Sequence, residues 1–153
     1  MILLKAISIH CEEYDSNKLF LLQESIHSGI PNSMKFVPFE DAKKFKVGNG
    51  MNGSVAWEYD TDNPNINTAW VEVLGRYPLK GRKKNTECAM VVMVIRGKGQ
   101  VVIEGRTIEI KKKDVIQIDP NERYFWQANK DDYLILIPAS HPAWRPEQNE
   151  DCE

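Results

Sequence analysis

A chain of 153 residues with 42% hydrophobic content is sized for one domain around one core. Its formal net charge of −2 sets up no long-range field for nucleic acid or an anionic membrane, so neither partner is expected. Three widely spaced cysteines, Cys11, Cys88 and Cys152, offer neither a disulfide framework nor a zinc-ligand spacing, which points to a reducing cytoplasm.

Residues 1–33 differ in character from the rest of the chain. Residues 2–9 suit one strand, but Lys5, His10, Glu12 and Glu13 make this end too polar for a secretion signal or a membrane span. From Asp15 or Ser16 a helix is predicted through Ile26, ended by Gly29 and Pro31. Leu19, Leu22, Gln23 and Ile26 give it an amphipathic stripe. Such a helix packs on the rest of the chain or on a neighbouring subunit. Alternatively, Met34 is the functional start and residues 1–33 are an extension.

Residues 34–153 read as the main domain. Residues 35–39 suit a short edge segment, where Pro38 is tolerated, and residues 40–45 a helical turn. Gly and Asn over 48–53 make a loop. Strands are predicted over 54–59 and 69–74. Between them lies a turn cluster at 60–65, rich in side chains that bond their own backbone but without the spacing or closing glutamate of a calcium loop. The basic stretch 76–84 reads as a solvated connection, although its cations also suit a phosphate or carboxylate.

The strongest pattern runs from Glu87 to Asn129. Short β-branched runs over 88–95, 100–104, 107–110 and 115–118 are punctuated by Gly97, Gly99, Gly105 and the Lys111–Asp114 turn. Regular spacing of this kind predicts consecutive antiparallel strands of a sandwich or barrel. Residues 132–137 supply a last strand. Gly97-Lys98-Gly99 is no dinucleotide loop, because Val102 stands where the third glycine belongs and strands come next.

Residues 90–97 are a hydrophobic strand closed by a glycine turn. Asp114, Pro120, Glu122, Phe125 and Asn129 come after it at fixed intervals. In this the chain resembles the cupins, whose second motif places Gly, Pro, Gly, His and Asn at those intervals. The tail 142–148 also resembles the segment after the last strand in some small bacterial cupins. The resemblance implies a mainly β fold, a cupin-like double-stranded β-barrel (jelly roll), here preceded by an N-terminal helical segment.

Many cupins hold a divalent ion with two histidines and a glutamate from the first motif and one histidine from the second. The resemblance places the glutamate at Met90 and the last histidine at Phe125. The first two fall at Lys84 and Thr86, or one position earlier at Lys83 and Asn85. None of these is a customary ligand for iron, zinc or nickel, so neither metal nor cofactor is expected. A rearranged site of Glu87, Cys88 and His141 is opposed by alternation, which points Glu87 and Cys88 to opposite faces.

If Met90 faces inward, Thr86, Cys88, Val92 and Val94 share its face. Glu87, Ala89, Val91, Met93 and Ile95 form the other, apolar enough to pack against another sheet or a partner subunit. A homodimer is therefore expected. Phe125 would add an aromatic wall, and Tyr124, Trp126 and Trp144 would line a mouth; Met90, Phe125 and Cys88 suit plain core filling equally well. Cys88 is expected to be a buried, unreactive thiol.

These residues suit two functions. In the first, a metal-free barrel binds a small sugar-like or partly apolar ligand, oriented by Arg76, Asn85 and Glu87. In the alternative, it resembles metal-free cupin epimerases or isomerases, with Lys84, Cys88, Tyr124 and Glu87 as the available acid–base groups and no evident dyad.

Overall fold

The computed structural model describes residues 35–48, 52–130 and 132–153. The strand and helix expected within residues 1–33 lie outside them.

In chain order the strands are β1 (Lys43–Gly48), β2 (Gly53–Tyr59), β3 (Asn67–Leu74), β4 (Arg76–Tyr77), β5 (Arg82–Asn85) and β6 (Ala89–Arg96). β7 (Lys98–Ile103), β8 (Arg106–Lys111), β9 (Val115–Ile118), β10 (Tyr124–Ala128), β11 (Tyr133–His141) and β12 (Asn149–Cys152) complete the set. They form two antiparallel sheets, ordered β1-β2-β3-β11-β6-β9 and β12-β5-β10-β7-β8, with β4 also pairing β10. β6 and β9 pair in the first sheet, and the β7–β8 hairpin between them belongs to the second. That hairpin closes through Glu104 and Gly105, both at positive φ, the backbone state that two-residue hairpin loops require. Across it the Arg123 guanidinium forks onto the Glu104 carboxylate at 2.7 Å and holds its pKa down at about 2.

The alternation read in β6 holds. Cys88, Met90, Val92 and Val94 are buried between the sheets, where Val73, Val101, Ile118, Leu134 and Leu136 join them. The outward residues Val91 and Met93 stay about half exposed, as does Val115 on β9. Among the described residues no second sheet lies against that outer face.

Several boundaries differ from expectation. The edge strand is β1, not residues 35–39, and residues 40–45 hold only the end of a short 3-10 turn, Phe39–Asp41, before β1 begins. Lysines disguise this strand: Lys44 faces outward, its ammonium 5.0 Å from the Trp57 ring centre, while Phe45 and Val47 face inward. Lysine on an exposed edge also guards it against pairing with another chain. The expected connection at 76–84 contains β4 and β5, because its basic residues pair across strands: Lys84 with Glu150 at 2.8 Å and Lys83 with Asp151 at 2.7 Å. The last predicted strand, β11, runs on to His141, and the tail adds β12.

Gly97 is where the chain leaves the first sheet for the second. Its φ is +89°, and a Cβ there would lie 2.0 Å from the Tyr133 carbonyl oxygen. Gly97→Ala is therefore expected to destabilise the domain by about 2–4 kcal/mol, since strained backbone and a clash with main chain add. Urea unfolding checks this; a midpoint equal to wild type would mean the crossing tolerates a side chain.

Candidate functional site

The two sheets enclose an open cavity of about 360 Å³. Its walls are mostly apolar, with Phe45, Val71, Met90, Val92, Trp126 and Leu136 among them. Phe45 meets Trp144 edge-on at 6.3 Å, and Tyr124 meets Trp126 similarly at 6.1 Å. Polar groups enter from both sheets, and each is placed by strand register.

On the first sheet Glu58 of β2 faces inward beside Asn67 of β3. The Asn67 amide donates to Glu58 Oε1 at 2.9 Å and to the Trp144 carbonyl at 3.0 Å, while its Oδ1 accepts from the Trp144 N–H at 2.8 Å. Asn67 is thus clamped by the tail and in turn orients the carboxyl. Burial raises the Glu58 pKa above the ordinary carboxyl value and nearby Asp60 adds to this, while Lys43 and the Asn67 bond oppose it.

On the second sheet Lys83 and Tyr124 are cross-strand partners, as are Tyr77 and Trp126. All four side chains line the cavity. Tyr124 is buried, and burial pushes its hydroxyl pKa far up, with Tyr77 and Cys88 adding. The Tyr77 hydroxyl is also raised by burial; Lys83 and the Ser54 hydroxyl beside it pull the other way. Asn149 adds an amide whose Oδ1 is buried without a partner among the described residues, as is the Nδ2 of Asn85, opposite it in register.

Of the residues singled out in the sequence, Met90, Tyr124, Trp126 and Trp144 line the cavity. The others do not. Phe125 points to the far side of β10, where the Arg76 guanidinium stacks 4.2 Å from its ring centre. Arg76 is spent there as well, donating to the carbonyls of Pro78 and Gly81. Lys84 faces away from the cavity toward Glu150, so the inward register on β5 is that of Lys83 and Asn85. The Asn85 Oδ1 accepts from the N–H groups of Glu87 and Cys88 at 3.0 and 2.7 Å, which makes it a turn brace. Thr86 donates to the Gln148 carbonyl, and Glu87 accepts from the Gln148 amide. Cys88 is fully buried, and burial raises its thiol pKa against the pull of the Ser140 hydroxyl. Sequence reasoning missed Glu58, Asn67 and Tyr77, and offered Lys83 only as one of two alternative places for a metal ligand. Alternation over 54–59 carried enough signal to place Glu58 and Ala56 on one face; the rest needed the pairing of strands distant in sequence.

No protein-family model and no curated protein matches the sequence. Solved structures match its architecture. Streptomyces Pac13, described as a unique nucleoside dehydratase, superposes with a TM-score of 0.66 at 16% identity, covering 78% of this chain and 92% of that chain. Ectoine synthase from P. lautus gives 0.58 at 12% identity, with 78% and 91% covered. A cupin-like protein from Thermotoga maritima gives 0.55 at 22% identity, with 69% and 82% covered. The chain has the cupin fold.

The divalent ion held by many cupins does not fit the corresponding places of this chain. The inward places hold Lys83, Asn85, Met90, Tyr124 and Trp126, which offer an ammonium, an amide, a thioether, a neutral phenol and an indole. A thioether is a poor partner for iron or zinc, and an ammonium repels a cation. Among the described residues no three of His, Cys, Asp and Glu converge. The rearranged set fails too, since the His141 ring is exposed, 2.6 Å from the Asn65 carbonyl.

A carboxyl with a raised folded pKa binds its proton more tightly in the fold. Its contribution to stability is present below the ordinary value of 4.5 and is lost as pH rises through that value and the raised one. Glu58→Gln keeps an oxygen for Asn67 and removes that loss. Its Tm at neutral pH is expected to rise by roughly 1–3 °C, a difference that vanishes below about pH 4. Calorimetry across pH checks this, and a lower Tm at neutral pH would contradict it.

Proposed function

We propose that this cupin binds a small, partly apolar, sugar-like or nucleoside-like molecule in its barrel, without a metal. One observation carries the reading: a single cavity of about 360 Å³ combines apolar walls with the polar groups of Glu58, Tyr77, Tyr124 and Asn149. That volume and that mixture of walls and placed polar groups are characteristic of small-molecule sites. The neighbours in fold support it: Pac13 has been solved with uridine, and another is an ectoine synthase.

Thermal-shift and calorimetric titrations with uridine and with monosaccharides test this. Binding is expected, and Ala56→Phe, which fills the cavity from β2, is expected to weaken it at least tenfold. Binding unchanged by Ala56→Phe in a folded variant would place the ligand elsewhere.

The chain is also proposed to pair with a second copy through the outer face of the first sheet. Met93 and Val115 are register partners there, and Val91 lies two residues from Met93 on the same face. An uncharged, half-exposed patch on adjacent strands suits a two-fold contact. Light scattering should give twice 17.6 kDa, and Met93→Glu should return the mass to 17.6 kDa. A wild-type mass of 17.6 kDa at micromolar concentration would sink the pairing.

A further inference from the structure

We infer that the cavity is a proton-transfer site, in which Glu58 moves a proton at the carbon next to a carbonyl group while Tyr77 and Tyr124 hold the carbonyl oxygen. The inference rests on the small-molecule reading of the cavity and adds a reaction class and a substrate class to it.

The two halves of such a site stand on opposite sheets. Glu58 supplies the base. Its Oε1 is fixed by Asn67, which is itself held at both ends of its amide by Trp144. The other oxygen, Oε2, has no hydrogen-bond partner among the described residues. One oxygen anchored and one left unbonded on a cavity-lining side chain is the arrangement a general base needs, and the cross-strand ammonium of Lys43 acts on the carboxylate as a charge. Partial burial makes the carboxylate more basic than an exposed one, so it takes a carbon-bound proton more readily.

Tyr77 and Tyr124 supply the electrostatic half. The Tyr124 hydroxyl has no hydrogen-bond partner among the described residues, although the residue is buried and lines the cavity. Because the side chain lines the cavity, this hydroxyl is available to donate to a ligand there. Burial keeps both phenols neutral, so each donates a hydrogen bond and neither repels a developing anion. Lys83 stands next to Tyr124 in register, its ammonium paired with Asp151 at 2.7 Å, so this side of the cavity carries a neutralised ion pair beside the two phenols. Donors aimed at the place where charge develops are the main source of stabilisation for an enolate.

The step balances within the site. Glu58 Oε2 takes the proton from the α-carbon, and the C–H pair becomes the new C=C bond. The carbonyl π pair moves to oxygen, where the tyrosine hydroxyls donate to it. The proton then returns from Glu58 to carbon; where a hydroxyl stands on the β-carbon, the enolate expels it and the same proton leaves with it as water. The substrate class is a small aldehyde or ketone bearing an α-hydrogen, with an apolar or ring portion against Met90 and Trp126.

The test uses 2-hydroxyacetophenone and dihydroxyacetone as probes in deuterium oxide, with α-proton exchange followed by proton NMR and binding by saturation transfer. Wild-type protein is expected to accelerate exchange at least tenfold over buffer. Glu58→Gln should abolish the acceleration and Glu58→Asp should retain a part of it. Tyr124→Phe should slow exchange at least tenfold with binding within threefold of wild type, and its Tm should not fall, since no protein hydrogen bond is lost. A probe that binds wild-type protein without accelerated exchange overturns the proton-transfer role and leaves the binding reading standing. Exchange that survives Glu58→Gln also overturns it. Failure of both probes to bind counts against the cavity as a site for carbonyl compounds, and the inference falls.

Discussion

The architecture depends on one backbone constraint, the crossing at Gly97. Here the chain passes from one sheet to the other with a left-handed φ and with the Tyr133 carbonyl where any side chain would begin. Only glycine meets both demands at low cost. Because β6 and β7 emerge from this point into different sheets, their inward residues face each other across the interior. Met90 and Val92 come from one side, Val101 and Ile103 from the other. The pairing of β11 with β6 and of β10 with β7 is then set by the pleat, since a slip of one residue would turn every apolar side chain outward.

The cavity is a departure from close packing, and its polar residues are a departure from an apolar core. Filling it with leucine or phenylalanine would be the more stable solution. Instead the barrel keeps a partly buried carboxyl, two phenols and an amide oxygen that has no partner among the described residues. Three of the polar side chains on the cavity wall are held by neighbours: Glu58 through Asn67 and the tail, Lys83 through Asp151, Tyr77 beside Ser54. Local rules are most often broken where a protein meets its ligand. The contrast with the opposite side of the same strands is instructive. There Arg76 stacks on Phe125 and Lys84 pairs with Glu150, so these groups are taken up by one another.

The sequence by itself determined the fold class. The β-branched runs from Glu87 to Asn129, their glycine breaks and the cupin-like spacing led to two antiparallel sheets, because period-two patterning and turn chemistry are local properties. It also placed Met90 and Cys88 inside and Val91 and Met93 outside. It did not reveal β1, β4, β5 or β12, whose lysines, arginines and acids read as solvated loop and become strands only once partners such as Asp151 and Glu150 are beside them. The tertiary structure alone decided the site. Register on β5 and β10 turned Lys83, Tyr124 and Trp126 inward and Lys84 and Phe125 outward, a one-residue choice that no count from Gly97 could make. Glu58 gained its setting from Asn67 and Trp144, and Trp144 lies far along the chain; such proximity is created by sheet pairing and is written in no local pattern.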